Sequence, residues 1–264
     1  MQTDLGEVRL KSGEPLRLAV IEPPAGHWTA PLTRLLAHKA PARQIEIAGE
    51  LGGTLDDLRA AFYVGVVGEE AITVARVAGA DGAGIWGHVY TVPAWRGRGA
   101  ARLLHEAAMP DLRRRGYRVL TLGTNPRGVA QPLYASVGFH PVAPGSGSMA
   151  WGALADTPRG APTVGAVRWG DWGWISAGAC VALGEGERLP RSRVLGVARP
   201  GFVGGAFVDA LLAGTPLLVL RRGPCAVGWA SGSDPGDLYV RPDCAGDRAV
   251  LEAARGASAA APPP

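Results

Sequence analysis

One stretch, residues 86–108, limits what this chain can fold into more than any other part of it. It contains an alternating apolar run, residues 89–92, which ends at Pro93 and is followed by a short basic turn rich in glycine. A segment rich in alanine and leucine comes next, so the stretch predicts a strand, a loop and the start of a helix. The first amides of a helix have no partner within it and lie at the positive end of its dipole. The junction therefore predicts an anion site, and a phosphate group fits it well.

Composition and charge exclude several classes of partner. Of the 264 residues, 47% are hydrophobic, so the chain can bury a core, and its length predicts one or two domains. The formal charge is only +4 and the densest basic cluster is the short run 113–115, so we expect no nucleic-acid partner. No apolar window is long enough to cross a bilayer, and we expect no membrane partner.

Three cysteines, Cys180, Cys225 and Cys244, lie far apart in the sequence. An odd, scattered set suggests neither a disulfide framework nor a zinc site, and it favours buried free thiols in a reducing compartment. The first 15 residues do not resemble a secretory signal. We therefore expect a cytoplasmic protein without a bound metal.

Hydrophobic periodicity predicts a mixed α/β sheet flanked by helices. The segment after the glycine-rich turn is expected to be a helix that kinks or ends early at Pro110 and is closed by Gly116. A strand, helix, strand order around this turn implies a parallel neighbour with a right-handed crossover. The predicted strands are 16–22, 61–67, 71–77, 89–92, 119–122, 140–142 and 148–151, and helices are predicted at 25–39, at 54–60 after a loop at 49–53, and within 125–139.

A second, smaller α/β segment follows a linker rich in proline and glycine. It contains three tryptophans, Trp169, Trp172 and Trp174, which either pack in its core or form an aromatic wall over a substrate. The expected organisation is 1–155 as the catalytic domain, 156–162 as the linker, 163–255 as the second domain and 256–264 as a mobile tail. In the second domain, helices are predicted at 171–183, 205–212 and 247–254, and strands near 164–169 and at 217–221, 226–230 and 238–241.

The second segment contains a shortened repeat of residues 86–108. Residues 238–242 resemble residues 89–93, and residues 250–254 resemble residues 104–108. The second copy lacks three residues in the turn and has Asp243 and Asp247 near its helix start. These carboxylates place negative charge where a phosphate would bind, so we predict a degenerate copy without an anion site.

Residues 89–101, VYTVPAWRGRGAA, resemble the pyrophosphate-binding motif of the GNAT superfamily of acyl-CoA-dependent N-acyltransferases. That motif has arginine or glutamine, two residues, glycine, one residue, then glycine or alanine, and Arg96, Gly99 and Ala101 satisfy it. Asn125, together with residues 131–134 and 138–139, resembles the second family motif. The resemblance covers about residues 14–152. Neither the P-loop pattern nor the dinucleotide-binding GxGxxG is present, and the alternative to the anion site is a plain basic turn that starts a helix.

The resemblance implies a GNAT fold with acetyl-CoA as co-substrate and no metal. The backbone of the strand would bind pantetheine and act as an oxyanion donor, and the turn and its arginines would bind the pyrophosphate. The expected cofactor-binding residues are Tyr90, Thr91, Val92, Arg96, Gly97, Arg98, Gly99, Ala100, Ala101, Arg102 and Asn125.

The resemblance makes Tyr134 the general acid for the departing thiolate, with an ordinary core tyrosine as the alternative. For the base, His88 is our first choice, because it shares side parity with Tyr90 and an imidazole titrates in the useful range. A structural histidine is the alternative to that role. Other candidates are Glu69 or Glu70 through a water, and His140, His27 and Asp57 as pocket residues.

These inferences describe an N-acetyltransferase that moves an acetyl group from acetyl-CoA to a primary amine. The acceptor would be a small molecule or a peptide, attacking directly in a ternary complex, and we consider a homodimer as the assembly state. One alternative is a non-catalytic acyl-CoA-binding or interaction module. Another is a different acyl-CoA reaction, hydrolysis or decarboxylation, on the same fold.

Overall fold

A computed structural model describes residues 1–153, 158–184, 207, 211–214, 217–231 and 238–260, and the chain divides into two compact units. The first unit comprises Met1–Ala78 and Trp86–Tyr117, and the second comprises Gly79–Ile85 and the chain from Arg118 onward. Among the described helices none is long and apolar enough to cross a membrane. The domain boundaries expected from the sequence, at 155 and 162, stay a prediction.

The sheet of the first unit consists of five strands in the order of the sequence. The last residues of β4 and the first residues of β5 belong to the second unit. β1 pairs with β2, and β2 with β3, in antiparallel fashion. The β-branched and aromatic residues predicted to favour strands occupy β3 and β4, which are almost entirely buried. The strands are β1 (Gln2–Arg9), β2 (Pro15–Ile21), β3 (Arg59–Val67), β4 (Glu70–Ala80) and β5 (Ala83–Thr91).

Helices cover both faces of this sheet, as alternation along β3 demonstrates. Phe62 and Val64 lie in one apolar cluster with residues of α1 and α2, whereas the Tyr63 hydroxyl donates to Asp111 of α3 at 2.8 Å. The helices are α1 (Thr29–Leu36), preceded by a 3-10 turn at Gly26–Trp28, α2 (Pro41–Gly52) and α3 (Ala100–Arg114).

The prediction for residues 49–60 was wrong. The helix is α2, which ends at Gly52, so neither the loop at 49–53 nor the helix at 54–60 is present. Pro41 stands in its first turn, where a fixed φ and a missing amide hydrogen are tolerated, so this proline starts a helix. The strand β1 was missed, and the helix expected at 25–39 ends at Leu36.

Pro110 does not end α3, which continues for four residues beyond it to Arg114. The early end was therefore a wrong expectation. A proline inside a helix removes one backbone hydrogen bond, and apolar side chains of α3 that pack inward help to hold it. Leu104, Ala108 and Leu112, which recur at helical spacing on α3, are fully buried.

The second unit continues a mixed sheet in the order β5, β6, β8, β7. Residues Ala83–Ile85 of β5 pair in parallel with Val119–Thr121 of β6, which confirms the parallel neighbour expected after the helix. β8 is antiparallel to both β6 and β7. The elements are β6 (Val119–Gly123), α4 (Ala130–Ser136), β7 (His140–Pro141) and β8 (Ser148–Gly152).

A separate antiparallel sheet of four strands, in the order β12, β11, β10, β9, completes the second unit. The three tryptophans of the cluster are buried, as in the core-packing alternative, and the cysteines are buried and free, as expected. The helix predicted at 205–212 lies mostly outside the described residues. The elements are β9 (Pro162–Ala166), α5 (Trp172–Gly184), β10 (Leu217–Arg222), β11 (Cys225–Ser231), β12 (Leu238–Val240) and α6 (Arg248–Ala260).

The fold class is thus confirmed: α/β, with a mixed, mostly antiparallel sheet flanked by helices and a second, smaller sheet.

Candidate active site

The strand that leads into the predicted anion site changes the face on which its side chains lie. Trp86 of β5 points to α3, where its indole nitrogen donates to His105 at 3.0 Å. Tyr90 points to the opposite face and stacks on His38, with ring centres 4.3 Å apart. Regular alternation would place residues 86 and 90 on one face, and the break coincides with His88, whose φ is 51°. As predicted, His88 and Tyr90 share a face.

The glycine-rich turn, residues 93–99, is called the anion loop from here on. It begins with a 3-10 turn at Pro93–Trp95 and contains Gly97 and Gly99 with φ of 76° and 90°, values that favour glycine. Gly99 caps α3, and its carbonyl accepts the amide of Leu103 at 3.0 Å. The amides of residues 100–102 precede this first helical hydrogen bond and point out of the helix end. The loop therefore has the backbone geometry of an anion site.

Two arginines of the anion loop are held by their surroundings. The Arg96 Nε donates to the Thr91 carbonyl at 3.0 Å, and its guanidinium lies 5.5 Å from the centre of the Tyr90 ring. The Arg98 Nη1 donates to Glu14 at 2.9 Å. Both side chains are thus fixed close to the loop, which limits the entropy lost when an anion binds.

The backbone of residues 90–92 is partly engaged. The Val92 amide donates to the Ile72 carbonyl at 2.9 Å, and the Thr73 hydroxyl donates to the Tyr90 carbonyl at 3.1 Å. An oxyanion donor must keep its N–H free for the substrate. The N–H and C=O groups of a strand residue point to the same neighbouring strand, so the Tyr90 amide faces β4 together with its carbonyl, and the Thr91 amide is the donor to consider.

A buried cluster on α2, β4 and β5 surrounds His88. Arg76 Nη2 contacts Glu46, lies 2.9 Å from Glu50 Oε1 and lies 2.9 Å from His88 Nε2. Burial raises the pKa of Glu50 to about 8, and the neighbouring charge of Glu46 adds to this effect. Burial would also raise the pKa of Glu46, but His88 and the charge of Arg76 outweigh it and lower that pKa to about 2. The cluster thus combines the Arg76 guanidinium, the Glu46 carboxylate, which Arg43 also contacts at 2.6 Å, and the Glu50 carboxyl, whose pKa is raised.

Glu46, Glu50 and His88 also have the donor types of a metal site, with their ligand atoms within 4.8 Å of one another. Arg76 Nη2 lies among these same atoms and supplies the positive charge there. The expectation that the protein needs no metal stays a prediction.

The contacts of His88 bear on its predicted role as the base. Its side chain is 9% exposed, and burial lowers its pKa to about 4, so the ring is neutral at pH 7. His88 Nε2 lies 2.9 Å from Arg76 Nη2 and 3.5 Å from Glu46 Oε1, and because a guanidinium can only donate, Nε2 accepts from Arg76 in the tautomer whose proton is on Nδ1. In this arrangement neither ring nitrogen offers a lone pair to an ammonium group.

A cavity of about 820 Å³ lies in the first unit, and the end of β5 forms part of its wall. Tyr90 and Val92 line it, as do His27 and Trp28 from the 3-10 turn before α1. The Trp28 indole nitrogen donates to Gln2 of β1 at 2.8 Å, which fixes the ring. The cavity therefore adjoins the strand that leads directly into the anion loop.

The charged residues of this cavity are Asp4, Arg17, Arg34, Glu69 and Glu70. Asp4 and Arg17 are each hydrogen-bonded to backbone atoms. The side chains of Arg34, Glu69 and Glu70 make no hydrogen bond or ion pair with any described residue. Two carboxylates and one guanidinium are thus available to a ligand.

The other predicted site residues are not among those that line this cavity. Tyr134 is buried in the second unit against Phe139, and burial raises its pKa to about 12. Asn125 Oδ1 accepts the amide of Arg127 at 3.0 Å and so closes the turn before α4. His140 lines a second cavity, of about 290 Å³, within the second unit. Neither cavity is lined by Asp57, whose φ is 55°.

Sequence reasoning missed the tip of the β1–β2 hairpin, residues 11–14. The Lys11 amide donates to the Arg98 carbonyl at 3.0 Å, and Glu14 accepts from the side chain of the same arginine. A turn sequence, Ser12-Gly13, between two extended segments was the available signal. Its contact with the anion loop could not be inferred from spacing.

The comparisons with known proteins agree with this geometry in one respect. Residues 59–141 match the family model described as an acetyltransferase (GNAT) domain. The matched residues begin at β3 and include the whole anion loop and Tyr134. Among curated proteins none matches the chain.

Similar solved structures have low identity. The GNAT domain of S. lividans PAT is 16% identical, with 55% of this chain and 95% of that chain covered and a TM-score of 0.43. Escherichia coli ElaA is 19% identical, with 52% and 99% covered and a TM-score of 0.42. The ribosomal-protein-S18-alanine N-acetyltransferase from Escherichia coli is 17% identical, with 52% and 92% covered and a TM-score of 0.41.

These structural similarities are too weak to carry an assignment, which rests on the family model. The similarity to the GNAT family therefore lies in residues 59–141, which match the model of its acetyltransferase domain.

Proposed function

We propose that the protein is an N-acetyltransferase that transfers the acetyl group of acetyl-CoA to a primary amine of a small molecule or a peptide. The observation that carries this proposal is the anion loop, which joins β5 to α3 inside the residues that match the acetyltransferase domain. Its outward amides and flanking arginines suit a pyrophosphate. Binding of CoA there would place the thioester end along β5.

In the proposed complex, the amides of residues 100–102 and the side chains of Arg96, Arg98 and Arg102 bind the pyrophosphate. The Thr91 amide is the candidate donor to the thioester carbonyl, the backbone of Tyr90 and Val92 lies along the pantetheine, and Asn125 is a further cofactor contact. The acceptor enters the cavity of the first unit, where Trp28 and Tyr90 offer aromatic surface.

The acceptor must lose a proton before it attacks, because an alkyl amine is mostly an ammonium ion at pH 7. We assign this proton to Glu69 or Glu70, directly or through a water, since both carboxylates line the cavity and lack another partner among the described residues. His88, our first choice from the sequence, is the alternative base, and its contacts with Arg76 favour a positioning role.

The chemistry proceeds by direct attack in a ternary complex. The amine nitrogen forms a bond to the thioester carbon, and the tetrahedral intermediate then collapses with cleavage of the C–S bond. Tyr134 would give its proton to the departing thiolate. The raised pKa of this tyrosine, caused by burial, keeps the phenol protonated at neutral pH and so able to donate.

The second segment, 163–255, is proposed to be a degenerate GNAT-like copy. β12 is followed by a 3-10 turn at Pro242–Asp247 and then α6, which is the order of β5, the turn at Pro93–Trp95 and α3. This similarity of order supports a repeat. The cytoplasmic location and the homodimer also remain proposals.

Substitution of Gly99 by glutamate tests the proposed function. The new side chain strains a left-handed backbone and places a carboxylate at the start of α3, so we expect acetyl-CoA affinity to fall by about 100-fold. Gly116→Glu is the matched control: φ is 83°, a Cβ there meets nothing within 4 Å, and it follows the opposite end of the same helix. Calorimetry with acetyl-CoA compares the two variants with the wild type.

Thiol release and mass spectrometry with a panel of amines then identify the reaction. Acetylated amine with stoichiometric thiol supports the proposal. Tight CoA binding without turnover of any amine would instead favour a binding module, and thiol release without amine would favour hydrolysis. Equal affinity in the wild type and Gly99→Glu would show that the anion loop does not hold the cofactor.

A further inference from the structure

We propose that Lys11, at the tip of the β1–β2 hairpin, binds the pyrophosphate of CoA together with the anion loop. This inference rests on the proposed function. Lys11 lies outside the residues that match the acetyltransferase domain, and the family motif contains no residue from this hairpin.

The hairpin tip is closed by its own hydrogen bonds. The Leu10 amide donates to the Glu14 carbonyl at 3.0 Å, and the Gly13 amide donates to the Leu10 carbonyl at 2.9 Å. The Arg9 side chain donates to the Gly13 carbonyl at 3.0 Å. The tip is thus ordered before any ligand binds, so a contact from it costs little conformational entropy.

Two contacts dock this tip on the anion loop. The Lys11 amide donates to the Arg98 carbonyl at 3.0 Å, and Glu14 Oε1 accepts from the Arg98 guanidinium at 2.9 Å. The same guanidinium lies 4.8 Å from the centre of the Trp95 ring. Hairpin and loop are therefore joined through both the backbone and the side chain of one arginine.

The side chain of Lys11 lies over the start of α3. A Cβ built on Gly99 would be 3.7 Å from the Lys11 Cγ and 3.8 Å from its Cε. Gly99 is the residue that caps α3, so the aliphatic part of the lysine passes over the helix end. The ammonium group is one bond beyond Cε, and Gly99 directly precedes the residues whose amides point outward, so a ligand at the helix end is within reach of the lysine side chain.

Lys11 is exposed, so solvent screens part of the repulsion between its ammonium group and the positive end of the α3 dipole. The first turn of α3 contains no acidic residue. Arg98 and Arg102 are compensated by Glu14 and Glu106, at 2.9 Å and 2.7 Å. Lys11 forms no ion pair with any described residue. A polyanion bound at the helix end would remove the repulsion, since it would neutralise the lysine and the dipole together.

Lys11→Met tests the proposal, because methionine keeps much of the aliphatic contact over Gly99 and removes the charge. We expect its affinity for CoA to fall by about tenfold, the size of a charge-assisted hydrogen bond to a phosphate, and Lys11→Arg to restore most of it. The same tenfold loss is expected with 3′-dephospho-CoA, which keeps the pyrophosphate. Arg59→Met, at the exposed start of β3, is the control for the loss of one positive charge and should bind like the wild type.

Calorimetry on the full chain separates the outcomes. Equal CoA affinity in Lys11→Met and the wild type would overturn the assignment, as would an equal loss in Arg59→Met. If the loss disappears with 3′-dephospho-CoA, Lys11 contacts the 3′-phosphate and the pyrophosphate assignment is wrong. Failure of the wild type to bind CoA would refute the proposed function itself, and this outcome is distinct from the others.

Discussion

At the scale of single residues, the proposed reaction depends on which side chain removes a proton from the acceptor amine. Glu69 and Glu70 line the cavity beside Tyr90, whereas Nε2 of His88 contacts Arg76 at 2.9 Å. A carboxylate that accepts a proton through water is a sufficient base when the amine is held nearby. The hairpin tip between β3 and β4 therefore has a chemical role in our proposal.

Replacement of both carboxylates, Glu69→Gln with Glu70→Gln, should lower kcat by about 100-fold, a usual contribution of general base catalysis. CoA affinity should stay unchanged, because neither residue contacts the anion loop in our assignment. Glu7→Gln is the control, an exposed carboxylate on β1 that does not line the cavity. Normal turnover in the double variant, together with loss of the acidic limb of the pH profile in His88→Gln, would instead identify His88 as the base.

Residues of the anion loop could be predicted because the information is local. Arg96, Gly99 and Ala101 stand within six positions, and the strand before them and the helix after them follow from periodicity. Glu14 and Lys11 could not be found in this way, because Glu14 and Arg98 are 84 residues apart in the sequence. The side-chain parity of His88 and Tyr90 was predicted correctly, but the positive φ that separates His88 from Trp86 has no signal in the sequence.

At the scale of elements, α2 and β4 share a buried charge cluster that should make stability depend on pH. The pKa of Glu50 is about 8 in the folded protein, above the ordinary value of 4.5, so the folded state keeps a proton that the unfolded state releases. The contribution of this protonated carboxyl to the free energy of unfolding is fully present below pH 4.5 and is lost as the pH rises through 8. Glu46 behaves in the opposite way, because its pKa is lowered to about 2.

Glu50→Gln should prevent the decrease in the free energy of unfolding at high pH, because a glutamine stays neutral at every pH. We expect the variant to match the wild type near pH 4 and to exceed its free energy of unfolding by on the order of 2 kcal/mol at pH 9. Urea denaturation at both pH values measures the difference. Glu46→Gln is the contrast and should destabilise the protein at pH 7, since it leaves Arg76 without its ionised partner. A Glu50→Gln curve parallel to that of the wild type from pH 4 to 9 would contradict the assignment.

The elements differ in how far their sequences predict them. β3 and β4 were found because they are apolar, β-branched and separated by a tight turn. α2 was missed, since residues 49–53 were predicted as a loop and residues 54–60 as a helix, although a proline such as Pro41 in the first turn is compatible with a helix. β1 has mostly exposed residues and lacks a clear apolar pattern, so only its pairing with β2 reveals it.

At the scale of the whole molecule, the two strand–turn–helix arrangements differ in charge. Arg241 pairs with Asp243 at 2.7 Å and Arg222 pairs with Asp247 at 2.5 Å, all around the turn before α6. A hydrogen bond from Arg222 lowers the pKa of Asp247, which keeps that carboxylate ionised beside the helix start. An anion would meet Asp243 and Asp247 there, whereas the first turn of α3 contains no acidic residue.

The wild-type chain should therefore bind one CoA, and Gly99→Glu should remove that site without revealing a second. Calorimetry of the full chain gives the stoichiometry directly. Asp243→Asn with Asp247→Asn serves as the control: removal of both charges should leave the stoichiometry at one, because the shorter turn still lacks the left-handed glycines that shape the anion loop. Two CoA per chain, or binding that survives Gly99→Glu, would show that the second arrangement is a functional site and that the chain has two active copies of one ancestral half.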